Sequence, residues 1–155
     1  MLATLALALA AVNLGVRLDR EMVDVWDESL YATSALEMRA SGQWAVTTFQ
    51  GAVDYFNSKP PLNVWLIAGS FEAFGVTLVS LRLPSAVAAG LTIATVFVWS
   101  RRVCGSAVAT LATLVRGTTY PFLYVHAGRS ANADAPLAAG LTHLQVLVAN
   151  ARHGN

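Results

Sequence analysis

The sequence predicts an all-α integral membrane protein, a multi-pass helical bundle with juxtamembrane helices in its first outer loop. Three observations predict this. Of the 155 residues, 55% are hydrophobic and only 12% are charged, and the mean hydropathy is positive. The apolar residues gather in runs rich in Ala, Leu and Val, a pattern that departs from an ordinary soluble domain. The charges gather instead in two polar blocks, residues 26–61 and 129–134. Charged groups held beside a bilayer are costly, which makes them candidates for chemistry.

Composition also excludes some classes. A formal net charge of +1 without a basic stripe leaves no footprint for nucleic acid, so none is expected as a partner. Cys104 is the single cysteine, which rules out an internal disulfide and a cysteine-based metal cluster.

The elements follow in order. Residues 2–18 are apolar and end at Arg17-Leu18-Asp19-Arg20; they read as a first span. A secretory signal is the alternative, but no positively charged flank precedes the run. Residues 19–82 form an outer loop with surface helices. Leu30, Tyr31, Ser34, Ala35 and Met38 recur at helical spacing, which predicts a helix over about 28–40, stopped by Ser41-Gly42. Residues 44–49 read as extended, and 51–59 as a loop of turn formers. Pro60 and Pro61 suit the first turn of a helix that closes near Gly75. That stretch is short and interrupted by Glu72, with Trp65, Phe71 and Phe74 placed for an interface, so it reads as a helix lying at the membrane surface. A true crossing is the alternative and would invert every later loop.

Residues 83–100, 106–126 and 135–150 read as three further spans. Arg101-Arg102 mark the turn between the first two of these as cytoplasmic. By alternation, both polar blocks then face outward; Arg17 and Arg20, on the same outer side, run against the rule. The whole chain, 1–155, is read as one transmembrane domain.

Asp27 and Glu28 sit at a helix start, where a carboxylate is favoured by unpaired amides and the helix dipole whether or not it has a function. Asp134 stands likewise before Pro136. A membrane fold can bring these carboxylates and Lys59 onto one outer surface, a set suited to group transfer from a phosphate carrier. The cation binds phosphate, and a carboxylate takes the proton of the attacking hydroxyl. Lys59 is otherwise a snorkelling interfacial lysine. Arg129 is suited either to bidentate phosphate binding or to anchoring a helix end among headgroups. Arg116 lies inside an apolar run, with Glu72 or a lipid phosphate as candidate partners. His126 and His143 are isolated, and no known zinc spacing is present.

The ordered strings Trp26-Asp27-Glu28-Ser29-Leu30-Tyr31-Ala32, Glu37-Met38-Arg39-Ala40-Ser41-Gly42-Gln43-Trp44, Tyr55-Phe56-Asn57-Ser58-Lys59-Pro60-Pro61-Leu62, Phe74-Gly75 and Arg82-Leu83-Pro84-Ser85 resemble the N-terminal part of GT-C glycosyltransferases. That group includes the bacterial aminoarabinose transferases and the protein mannosyltransferases of glycosyltransferase family 39. The segment from Arg129 to Asp134, followed by Pro136, resembles the second acidic motif of the group.

The resemblance implies a multi-pass enzyme of the plasma membrane, the inner membrane in bacteria. Such an enzyme takes a sugar from a polyprenyl-phosphate-linked donor and passes it to a lipid, glycan or protein acceptor at the outer face. It further implies catalytic roles for Asp27, Glu28 and Asp134, and substrate-binding roles for Lys59, Arg129 and Tyr55. Aminoarabinose transferases carry an acidic residue implicated in metal binding just before the lysine. Ser58 stands there in this chain, so no metal and no other cofactor is expected. Members of the group have several hundred residues and many more spans, so the chain reads as an N-terminal portion with negligible activity alone. The rival readings are a transporter or flippase segment whose charges line a pathway, and a small structural membrane subunit that tolerates loss of those charges.

Overall fold

The computed structural model describes residues 1–20, 22–23, 26–55, 57, 59–125 and 128–153. Ser58 and His126 therefore lie outside the described residues. In order, the chain forms α1 (Leu2–Gly15), α2 (Asp27–Ser41), β1 (Thr48–Phe49), β2 (Ala52–Val53), α3 (Leu62–Phe74), α4 (Leu78–Cys104), α5 (Ser106–Thr118), a π-helical turn (Pro121–Val125) and α6 (Asp134–His153).

Most of this is helix, with one correction to the all-α expectation. β1 and β2 pair antiparallel, Thr48 with Val53 and Phe49 with Ala52. Gln50 and Gly51 between them both have positive φ, the geometry of a two-residue hairpin turn whose twist matches its strands. The Glu37 carboxylate accepts from the Gly51 amide at 3.1 Å and ties the hairpin to α2.

α4 starts before the expected boundary at 83. Thr77 and Ser80 form a capping box, each side chain bonding the other's backbone amide, which satisfies the first orphan N–H groups. The helix therefore begins in a polar stretch that hydropathy does not count, and Arg82 is drawn inside it. α5 ends earlier than the expected 126, because Pro121 lacks an N–H and disfavours helical geometry just before it. α2 stops at Gly42, which takes a left-handed φ of 70°.

Among the described residues, α4 alone is long and apolar enough to cross a membrane. α1 and α3 are shorter apolar helices. α5 has 13 residues, and α6, with 20, carries His143, Gln145, Asn150 and Arg152.

α4 is the axis, packed against α1, α3, α5 and α6. Where α1, α5 and α6 meet it or each other, the buried residues are chiefly small: Ala6, Ala10, Ala88, Ala89, Ala109, Ala135 and Ala139. Larger residues such as Leu5, Leu9, Val87, Leu91, Leu111, Leu141 and Leu144 face outward. Alanine inside and leucine outside is the arrangement of helices that associate in lipid, where close backbone approach replaces hydrophobic collapse. Gly117 shows the closeness: a Cβ there would lie 2.6 Å from the Ala10 Cβ.

The other end packs conventionally. Tyr31, Ala35 and Met38 of α2 meet Val64, Ile67, Ala68 and Phe71 of α3, together with Leu81 and Ala131. Phe71, expected at an interface, is buried because it completes the 64, 67, 68, 71 stripe. Trp65 and Phe74 remain exposed.

Candidate active site

The polar blocks converge where α1 ends and α2, α4 and α6 begin. Glu28, in the first turn of α2, is 1% exposed, and Arg82, in α4, is 2% exposed. Arg82 Nε and Nη2 each donate to one carboxylate oxygen of Glu28 at 2.8 Å, a bidentate pair. Arg82 Nη1 also donates to the Leu18 carbonyl at 2.7 Å, and Nη2 to the Met22 carbonyl at 3.1 Å. Glu28 Oε1 accepts from the Ala131 amide at 2.8 Å. Both oxygens of Glu28 are thus engaged internally.

The loop before α6 is pinned further. Asn63 Nδ2 donates to the Ala131 carbonyl at 3.2 Å, and Ser85 Oγ to the Asn132 carbonyl at 3.2 Å. Arg129, buried, donates to the carbonyls of Asn13 at 2.8 Å and Arg17 at 3.1 Å. Its guanidinium also lies 5.0 Å from the centroid of the Tyr124 ring. Carbonyls at a helix C-terminus lack intrahelical donors and carry negative partial charge, so a cation suits them.

Asp27, which opens α2 beside Glu28, accepts from Asn132 Nδ2 at 2.9 Å. Asp134 opens α6 two residues beyond Asn132. Lys59 arrives from the loop after the hairpin, its ammonium 5.7 Å from the centroid of the buried Tyr31 ring. A hydrogen bond to Tyr31 raises the Lys59 pKa from its ordinary value of 10.5; partial burial opposes this, and weaker electrostatic attraction from Tyr31, Asp27 and Asp134 adds to the rise. A lysine influenced by both aspartates brings three sequence-distant charges into one neighbourhood. Tyr55 projects outward, 88% exposed.

The structure thus sets Asp27 and Asp134 at the starts of α2 and α6, with Asn132 of the loop before α6 bonded to Asp27 and Lys59 against Tyr31 of α2, and it buries Glu28 and Arg129. Sequence reasoning missed Arg82, Asn132 and Tyr31. Arg82 carried a signal, a charge at the edge of an apolar run, but the hydropathy boundary left it outside the helix. Arg116 does not pair with Glu72, which bonds Arg39 at 2.7 Å instead; its guanidinium lies 4.7 Å from the Phe122 ring centroid. It borders a groove of about 600 Å³ with Trp99 and Gln145, which runs toward the far end of α4, away from Lys59. Among the described residues, no group of three His, Cys, Asp or Glu side chains is placed to hold a metal ion.

A family model described as dolichyl-phosphate-mannose-protein mannosyltransferase matches residues 58–153, well over half of the chain. The chain belongs to this family. Other comparisons place the mannosyltransferase-family chain beside the bacterial aminoarabinose transferases. It is 32% identical over 127 residues to the undecaprenyl phosphate-alpha-4-amino-4-deoxy-L-arabinose arabinosyl transferase of Pseudomonas savastanoi pv. phaseolicola, covering 81% of this chain and 24% of that protein. A second such transferase, from Pseudomonas fluorescens Pf-5, is 36% identical over 100 residues, 63% of this chain and 17% of that protein.

The crystal structure of ArnT from Cupriavidus metallidurans in the apo state superposes with a TM-score of 0.76 at 31% identity, over 92% of this chain and 26% of that one. ArnT bound to undecaprenyl phosphate gives the same TM-score at 27% identity. The GT-C resemblance read from the motifs is therefore shown. The mannosyltransferase-family chain spans about a quarter of the length of these relatives.

Proposed function

We propose that the Asp27, Lys59 and Asp134 cluster is the reacting end of a glycosyl-transfer site that uses a sugar linked to a polyprenyl phosphate. The observation that carries this reading is the Lys59 ammonium, held on Tyr31 within the influence of two aspartates from separate elements. Lys59 is the phosphate-binding group. Asp27 takes the proton of the acceptor hydroxyl as its oxygen attacks the sugar's anomeric carbon, and the bond to the phosphate oxygen breaks with its electron pair leaving on the phosphate. Asp134 completes the acidic wall, and the exposed Tyr55 borders the approach. Glu28 and Arg129 act as positioning residues rather than as reacting groups, because both Glu28 oxygens and both terminal nitrogens of Arg129 already serve internal partners.

Similarity to proteins named for undecaprenyl-phosphate sugar transfer supports the donor class. The outward-facing leucines support a multi-pass setting in lipid, and Arg101-Arg102 at the opposite end of α4, read as cytoplasmic, support an outer face of the plasma membrane for the cluster, where a lipid, glycan or protein acceptor arrives. The 155-residue chain alone is proposed to transfer negligible sugar, because it spans only a quarter of its relatives; sugar transfer by the purified chain in lipid would overturn that.

The test of the site is Asp27→Asn in a full-length protein carrying these residues. Loss of a positioned general base lowers turnover about 10²- to 10⁴-fold. Normal turnover by this variant rules out Asp27 as the base.

A further inference from the structure

Burying an ion pair as deeply as Glu28 and Arg82 carries a desolvation penalty for each ion, and apolar side chains of similar volume often give as much stability. Packing alone therefore does not account for the pair. What apolar residues cannot supply is direction. Asp27 and Glu28 are chain neighbours, as are Ala131 and Asn132. Glu28 Oε1 accepts from the Ala131 amide at 2.8 Å, and Asn132 Nδ2 donates to Asp27 Oδ2 at 2.9 Å. Two covalent steps and two hydrogen bonds close a ring of four residues. Each bond involves a carboxylate oxygen, which makes it short and sensitive to angle.

Arg82 fixes the orientation of this ring. Its fork holds the Glu28 carboxylate in one plane, while its remaining donors grip the carbonyls of Leu18 and Met22. Ser85, one turn further along α4, holds the Asn132 carbonyl. Rotation of the α2 start or slippage of the loop before α6 breaks both hydrogen bonds of the ring together.

We propose that the Arg82–Glu28 pair is a positioning clamp for Asp27, acting through Ala131 and Asn132 to fix the approach of the Asp27 carboxylate to Lys59. The assignment rests on the reading of Asp27 as the reacting carboxylate. It adds Arg82 and Asn132, both buried, to the residues on which turnover depends.

The experiment uses Glu28→Gln, Arg82→Lys and Asn132→Leu in two preparations. In the 155-residue chain in lipid nanodiscs, circular dichroism reports folding. The pH dependence of Lys59 acylation by an anhydride, followed by mass spectrometry, reports its surroundings, with Asp27→Asn as the reference for removing the Asp27 charge. Folded clamp variants are expected to shift the Lys59 titration downward, in the direction of Asp27→Asn. In a full-length protein carrying these residues, turnover is expected to fall at least tenfold while KM for a polyprenyl-phosphate sugar stays within about twofold.

Asn132→Leu leaves the ion pair intact, so it decides the matter if the other variants do not fold. A folded Asn132→Leu with unchanged Lys59 titration and unchanged turnover overturns the clamp. Failure of a full-length protein with all these residues intact to transfer sugar overturns the glycosyl-transfer reading instead, and the Lys59 titration still reports on the clamp.

Discussion

The two ends of the helical bundle are held together by opposite means. At the polar end, directional bonds do the joining: Arg82 links the segment after α1, the start of α2 and the body of α4, while Glu28 carries the linkage to the loop before α6. Along the shaft, α1, α4, α5 and α6 meet through alanines interleaved with Leu14, Ile93 and Leu123, with few side-chain hydrogen bonds among the described residues, such as Asn13 to the Gly117 carbonyl at 2.9 Å. The shaft gains from close approach, as at Gly117 and Ala10, whereas the polar end gains from hydrogen bonds with fixed directions. A site that must hold two aspartates and a lysine in register belongs where bonds have angles.

The contrast is broken most severely at Arg82. Arg82→Met leaves the Glu28 carboxylate buried and uncompensated, with an expected loss of about 3–5 kcal/mol. Chemical unfolding followed by circular dichroism in detergent measures it. Gly117→Ala probes the shaft: the added methyl meets Ala10 at 2.6 Å, and overpacking of this kind is expected to cost about 1–3 kcal/mol. The same unfolding assay should show recovery in the Ala10→Gly, Gly117→Ala double variant if close approach is the cause.

Lys59 sharpens the comparison through pH. Its folded pKa is raised by Tyr31 first and the aspartates after, so its contribution to stability is complete below the unfolded value near 10.5 and is lost as pH climbs through the higher folded value. Wild type should therefore lose more stability on alkaline titration than Lys59→Met, whose melting curve lacks this component. The smallest effect is expected at the Arg39 to Glu72 bridge, whose side chains are 28% and 75% exposed. Glu72→Gln should change stability by less than about 1 kcal/mol, an effect that shrinks further in high salt.

Much of this architecture was readable beforehand, for local reasons. Helical spacing of Tyr31, Ser34, Ala35 and Met38 marked both α2 and its buried face, and Gly42 and Gly75 marked where α2 and α3 end. The boundary of α4 was misread because a Thr77–Ser80 capping box is polar, while the span was judged by hydropathy. The hairpin at 48–53 was misread as a strand followed by a loop, because its turn places Gln50, an ordinary residue, at positive φ.

The amino-acid sequence alone determined the helical periodicities and the concentration of charge into two blocks, because these depend on spacing and composition within a few turns, and its motifs marked Asp27, Lys59 and Asp134 as a candidate set. Only the tertiary structure decided which charges stay at the surface and which become internal fasteners. Glu28 and Asp27 are adjacent in the chain, yet successive helical positions point about 100° apart. One therefore turns inward to Arg82, 54 residues away, while the other meets Asn132, 105 residues away. Pairings over such separations depend on how α4 and the loop before α6 pack against α2, which no local pattern encodes.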